Sequence, residues 1–264
     1  MSRNGGPALG FHALFMAFVL TPLVAVCITA FTPENYLSVP YDDFSLRWFH
    51  TLLHRPDFRR ATWLSVRLAA VAATLAVIAA TPAALVLARH RFIGRATLSA
   101  LFMSPLMIPH IVLGIALLRY LAQIGLGATF AGLVAGHVLL VTPFALRLVM
   151  ASATSMDERI YQAAISLGAG PFTALRRVTL PLILPGIVSG WILAFIVSFD
   201  EMAMTVFLVA PGTETLPLRM LNHIQDTTDP LVAAMSAILI ASTAAVALLL
   251  NRLYGLDRLF TGRG

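Results

Sequence analysis

The sequence predicts an all-α, polytopic membrane protein with six transmembrane helices and both termini in the cytoplasm. Three observations lead there. Only 11% of the 264 residues are charged and 59% are hydrophobic, against roughly 25% charged in an ordinary soluble domain. Six apolar runs approach the about 20 helical residues that cross a hydrocarbon layer of roughly 30 Å. Arginine is concentrated in alternate loops, the pattern that orients membrane proteins.

The runs cover about residues 11–31, 66–87, 98–118, 128–150, 187–209 and 231–250. The first follows Arg3 and ends in Val26-Cys27-Ile28-Thr29-Ala30. A secretion signal has an apolar stretch of only about 7–15 residues, so this longer run reads as a retained first helix. Cys27 is the only cysteine, which excludes an intramolecular disulfide and a cysteine-based metal cluster. The fourth run holds Gly132 and Gly136, and the fifth opens with Gly186 and Gly190. Small residues at this spacing let helix backbones approach closely in lipid. The sixth run has no charged residue, whereas the fifth contains Asp200 and Glu201.

With the N-terminus inside, the cytoplasmic segments hold Arg3, Arg89, Arg91, Arg95, Arg159, Arg176, Arg177, Arg252, Arg258 and Arg263. The outer segments hold Arg47, Arg55, Arg59, Arg60 and Arg219, accompanied by acids including Glu34, Asp42, Asp43, Asp57 and Glu214. The net charge of +6 therefore reflects loop topology. The arginines are dispersed between apolar runs and form no basic face of the kind that binds nucleic acid. All 18 basic residues are arginine. A chain without lysine can form neither a Schiff base nor a P-loop, so any dependence on ATP requires another chain to bind the nucleotide.

An acid inside a membrane helix is costly and faces a polar cavity or a partner. Asp200 and Glu201, with Ser198 beside them, are candidates for a translocation path that favours a cationic substrate, in the outer half of the bilayer. The alternative is a structural pairing of the acids with Arg67 or Arg119. His110 and His137 stand alone in apolar runs without metal-ligand spacing and read as packed residues with a satisfied hydrogen bond. No metal site is expected. The ten methionines read as gap-fillers between helices.

Residues 151–185, between the fourth and fifth runs, are too polar to span and too apolar to be disordered. Ser155 with Glu158 has capping-box spacing, and Asp157 and Glu158 suit the positive end of a helix. Ile160, Ala163, Ala164 and Leu167 then share one face. Gly168 or Gly170 can take the left-handed conformation that stops a helix, and Pro171 can begin a second one, to about Val178. Pro181 and Pro185 are expected to break the chain before it re-enters the membrane. The result is a surface helix–turn–helix with a small-residue apolar face that fits a groove on another protein; the alternative is a plain interfacial connector.

Gln162-Ala163-Ala164, three residues, Gly168, nine residues and Val178-Thr179-Leu180-Pro181 resemble the EAA motif of binding-protein-dependent ABC importer permeases, in which E-A-A, three residues, G and nine residues lead to I-x-L-P. Phe44-Ser45-Leu46-Arg47-Trp48, Ser198-Phe199-Asp200-Glu201 and Thr215-Leu216-Pro217-Leu218-Arg219-Met220 are similar to segments of the spermidine/putrescine-type members. The resemblance covers nearly the whole chain and implies the type I ABC importer permease fold, as a single transmembrane permease domain over residues 1–264. It implies that Gln162, Ala163, Ala164, Gly168, Val178, Leu180 and Pro181 belong to a coupling segment that docks on a cytoplasmic ATPase dimer. It also implies a second permease subunit, as a heterodimer rather than a homodimer, an extracytoplasmic solute-binding protein facing the Thr215–Met220 loop, and a place in a bacterial or archaeal inner membrane. ATP and magnesium would be used by the ATPase, with no cofactor bound here. Gln162 departs from the usual Glu and removes a charge from the docking face.

The substrate implied is a small polar solute, a polyamine by the closest motifs, with an opine, an amino-phosphonate or an amino-acid-like solute as alternatives. Two other classes of function compete. An ion-coupled secondary transporter often shows inverted repeats and interrupted helices, and neither a second coupling loop nor a matched pair of broken helices is legible. An intramembrane enzyme would need a catalytic set, and the adjacent Asp200 and Glu201 point about 100° apart on a helix.

Overall fold

The computed structural model describes residues 6–40, 43–210 and 212–254. Arg3, Asp42, Arg258 and Arg263, used in the orientation argument, lie outside the described residues. The regular elements among the described residues are all helical. The chain divides into two compact units, one made of the residues up to 59 and from 220 onward, the other of residues 60–219.

In the first unit, α1 (Gly6–Thr29) packs on α12 (Leu231–Tyr254), and α12 packs on α2 (Arg47–Leu53). α1 is apolar around most of its circumference and stays exposed, with Phe11, Leu14 and Phe18 outward, which suits a helix surrounded by lipid or by another chain. Trp48 is buried in α2, and its Nε1 donates to the Glu34 carbonyl at 3.1 Å. The Arg55 guanidinium grips Asp57 through two hydrogen bonds of 3.0 and 2.8 Å. That hydrogen bond raises the Arg55 pKa, against a smaller opposing effect of burial. Close by, His223 is buried against the Phe58 ring, with Asp229 2.9 Å from its Nε2.

The second unit is built on α3 (Pro56–Arg89, from residue 60), α6 (Phe130–Ser155) and α9 (Leu180–Asp200). α3 turns a fully buried alanine stripe inward, Ala69, Ala72, Ala73, Ala76, Ala80 and Ala84, at spacings that keep one helical face. Ala73, Ala76, Ala80 and Ala84 share a core with Leu140, Leu146 and Val149 of α6 and Ile183 and Ala194 of α9. The G-x-x-x-G expectation for the fifth run is met by direct contact. A Cβ on Gly186 would collide with the Ser152 side chain and sit 2.9 Å from the Leu148 carbonyl, and one on Gly190 would sit 3.3 Å from the Ala145 carbonyl. Gly186→Leu is therefore expected to destabilise the chain by about 1–3 kcal/mol through overpacking, read as a lowered melting temperature of the detergent-solubilised protein, while Gly190→Ala shifts it far less.

Among the described residues four helices are long and apolar enough to cross a membrane, Ala8–Thr29, Pro56–Arg89, Phe130–Ser155 and Pro171–Asp200. The third expected span is not one helix. α4 (Arg95–Met103) and a 3-10 turn (Ser104–Met107) are followed by α5 (His110–Gln123) at a bend of 102°. The cause lies in Ser104-Pro105-Leu106-Met107-Ile108-Pro109. A proline pushes the preceding residue out of the helical region, and Ile108 is extended at φ −93°, ψ 127°. The fifth expected span is displaced: α9 ends at Asp200, an irregular stretch follows, and α10 occupies Thr205–Leu208. The sixth falls on α12, whose apolar part is Leu231–Val246. The expected outer loop at Thr215 begins α11 (Leu216–Asp226) instead, and Thr215, Leu216 and Leu218 are buried, so these residues do not offer a surface to a partner.

Candidate functional site

The segment between α6 and α9 folds as α7 (Glu158–Ser166), α8 (Pro171–Ala174) and a π-turn (Leu175–Thr179) leading into α9. The capping box expected at Ser155 does not form. Ser155 remains in the last turn of α6 and its hydroxyl donates to the Ser152 carbonyl at 2.9 Å. Asp157 caps α7 instead, accepting from the Arg159 amide at 2.9 Å. An acid at this position also suits the positive helix end.

The far end of α7 explains the A-A-x-x-x-G spacing. Gly168 is left-handed at φ +87°. Its amide donates to the Ile165 carbonyl at 2.9 Å, and the Ala169 amide donates to the Ala164 carbonyl at 3.0 Å. These are the two hydrogen bonds of a Schellman stop, which closes the orphan carbonyls of the last turn and calls for glycine at the left-handed position. The helix thus ends a fixed number of residues after Ala164, and Gly170 and Pro171 open the next turn. Ile160, Leu167 and Phe172 are exposed, Leu167 at 89% and Phe172 at 74%. Gln162 and Ala163 are exposed with them, and Ala164 is half-buried.

The break expected at Pro181 is absent. The Leu180 amide bonds the Leu175 carbonyl, five residues back, and the chain continues as helix through Pro181. Proline lacks an amide and crowds the carbonyl four residues earlier. A π-turn just before it widens the helix at that point, so the segment from α8 runs without interruption into α9. Val178 and Leu180 are half-buried in this turn and Thr179 is fully buried.

Asp200 and Glu201 have different surroundings. Asp200 is the last residue of α9 and is exposed. Glu201 is buried, with Oε1 accepting from the Met204 amide at 2.7 Å and Oε2 2.7 Å from His110 Nδ1. Neither acid meets Arg67 or Arg119 among the described ion pairs; Arg67 lies over the Phe130 ring, 5.5 Å from its centre. Glu201 therefore joins the two helix breaks of this unit, because His110 opens α5 after the first and Met204 precedes α10 after the second. Irregular backbone at membrane depth must find partners inside the protein, and Glu201 supplies one.

Ser198 belongs to the same network. Its hydroxyl lies 2.8 Å from His137 Nδ1, and Thr205 Oγ1 lies 3.0 Å from His137 Nε2. Thr205 donates its single hydroxyl hydrogen to the Glu201 carbonyl at 2.9 Å, so it accepts from His137. His137 Nε2 then carries a proton. His137 is fully buried and holds two hydrogen bonds rather than one, and His110, expected to be buried with one hydrogen bond, is half-exposed and paired with an acid. Sequence reading missed both pairings because the partners are far apart in the chain. It missed the first helix break although the two prolines signalled it.

A model of the binding-protein-dependent transport system inner membrane component matches residues 62–256. The chain is 31% identical over 239 residues to the spermidine/putrescine transport system permease protein PotC of Haemophilus influenzae, covering 90% of this chain and 93% of that protein. It is 31% identical to the putrescine transport system permease protein PotI of Escherichia coli, over 88% of this chain and 85% of that protein. It is also 34% identical to the molybdenum transport system permease protein ModB of Mycobacterium bovis, over 89% and 88%. Among solved structures it is similar to a bacterial ABC transporter involved in import of the acidic polysaccharide alginate, with a TM-score of 0.75 at 16% identity over 96% of this chain and 99% of that chain. The inward-facing methionine transporter MetNI matches with a TM-score of 0.60 at 20% identity, over 78% and 96%. The chain belongs to the family of binding-protein-dependent transport system inner membrane components, the multi-pass permease subunits of ABC importers.

Proposed function

We propose that this permease passes a small organic cation of the polyamine class, driven by ATP hydrolysis on a partner chain. The observation that carries the cationic reading is Asp200. Its carboxylate ends α9, where the helix dipole is already negative and an acid is disfavoured, and no cation of this chain is paired with it among the described residues. Such a position gains from a passing positive charge. The relatives named for spermidine and putrescine support the same class, while the relative named for molybdenum shows why overall similarity alone does not fix the charge of the solute.

Gln162, Ala163, Ala164, Gly168, Val178, Leu180 and Pro181 form the coupling segment in this reading. The exposed apolar set of Ile160, Ala163, Leu167 and Phe172 seats in a cleft of the ATPase dimer, and the Schellman stop holds its shape. A second, different permease chain completes the path, and an extracytoplasmic binding protein delivers the solute at the outer face of the bacterial inner membrane.

Uptake into vesicles carrying the complete complex tests this. Radiolabelled putrescine or spermidine should accumulate with ATP and its loaded binding protein, and molybdate should not. Molybdate uptake without polyamine uptake overturns the cationic reading. Polyamine uptake that survives ATP depletion and collapses with a protonophore overturns the ATP-driven one.

A further inference from the structure

We infer that Arg89 is a positioning residue that fastens the coupling helix to two membrane helices at once, an inference that rests on the coupling reading of α7. Arg89 is the last residue of α3. Its guanidinium carbon lies 5.1 Å from the centre of the Tyr161 ring on α7. Its Nη2 donates at 3.3 Å to Met156 Sδ, at the junction of α6 and α7, and at 3.3 Å to Thr179 Oγ1, in the π-turn that opens into α9. One half-buried side chain therefore joins the end of α3, the start of the coupling helix and the root of α9.

The partners explain what such a clasp can do. Thr179 is fully buried, and it occupies the variable position of the Val178-Thr179-Leu180-Pro181 turn. No carboxylate is paired with Arg89 among the described residues. Its charge is held by an aromatic face, a thioether sulfur and a hydroxyl, each a moderate and geometrically tolerant partner. A guanidinium is planar and donates in several directions from one rigid group, so it can keep all three contacts while α7 tilts. A push on the exposed face of α7 then reaches α3 through the side chain and α9 through Thr179, rather than dissipating in the Gly168–Gly170 turn. Tyr161 faces inward for this reason, half-buried while Ile160 beside it is exposed.

The test uses the complete reconstituted complex and compares substrate transported per ATP hydrolysed. Arg89→Ala should leave the ATPase bound and its substrate-free hydrolysis unchanged, and lower the transport-to-hydrolysis ratio about tenfold. Tyr161→Phe, which keeps the ring face, should retain the wild-type ratio, whereas Tyr161→Leu should lower it. Arg89→Lys, with a single ammonium that cannot reach every partner, should fall between. If Arg89→Ala does not assemble, Thr179→Val removes one acceptor without changing side-chain shape and should lower the same ratio. A wild-type ratio in the assembled variants, or an equal fall of transport and hydrolysis in them, overturns the inference. Leu167→Asp separates it from the underlying reading. If that variant keeps the ATPase bound and substrate-stimulated, α7 is not the docking element; if it loses the ATPase while Arg89→Ala keeps the wild-type ratio, Arg89 alone is wrong.

Discussion

Gly168→Val is expected to abolish substrate-stimulated ATP hydrolysis by the assembled complex while leaving the membrane helices folded. The argument is conformational rather than steric. A Cβ at Gly168 would meet nothing within 4 Å, so crowding is not the obstacle. The obstacle is the backbone at φ +87°, which costs an ordinary L-residue about 1–2 kcal/mol and a β-branched one more. That cost acts on two adjoining hydrogen bonds, Gly168 to Ile165 and Ala169 to Ala164. Losing them frays the last turn of α7 and moves Leu167, the most exposed apolar residue of its face. A shift of this size depopulates the docking-competent loop roughly 5- to 30-fold or more. Gly168→Asn, whose side chain tolerates the left-handed region, should retain most of the stimulation. Equal and near-normal stimulation in both variants would show that the stop is not part of coupling.

Asp200→Asn and Glu201→Ala should fail in different ways. Asp200→Asn removes a charge from an exposed carboxylate at a helix end, so the protein should assemble with an unchanged melting temperature. Transport of a polyamine at saturating loaded binding protein should fall about tenfold, the cost of losing one favourable charge contact at partial screening. Glu201→Ala leaves the buried Met204 amide without its acceptor and His110 without its carboxylate. An orphaned buried donor costs about 1–3 kcal/mol, and the half-exposed His110 beside it loses its acid, so the expected readouts are a lower melting temperature and a poor yield of complex. Glu201→Gln keeps an acceptor for Met204 and should fall between. If Asp200→Asn transports polyamine at the wild-type rate, the assignment of the path to that carboxylate fails. If Glu201→Ala is as stable as wild type, the role of joining the two breaks fails.

The contrast shows where sequence reasoning stopped. Asp200 and Glu201 were equivalent as letters, two acids in an apolar run. Their difference depends on where α9 ends, and the helix stops at Asp200 because Glu201 turns to hold a second broken segment. The first break was legible in Pro105 and Pro109, but a count of apolar residues over 98–118 spans it without notice. Pro181 misled in the opposite direction, because a π-turn absorbed it. Ser155 and Glu158 had capping spacing, yet Asp157 took the cap because α6 ran on through Ser155. Of the two glycines offered for the helix stop, Gly168 takes the left-handed conformation and Gly170 is extended, a choice fixed by where α7 runs out.

Arg89 marks the same boundary from the functional side. In the sequence it counted only toward orientation, one cytoplasmic arginine among several. Its contacts with Met156, Tyr161 and Thr179 join residues from three separate elements, and no periodicity relates them. Composition and apolar run length are enough to place this chain in a membrane as helices, because the cost of burying charge and unpaired backbone is paid residue by residue. Motif spacing is enough to define α7 and its stop, because both are set within a few turns of chain. Which acid is free, which is bound, and which residues of α7 and α9 Arg89 meets were decided by packing alone, because each answer rests on side chains brought together from distant positions.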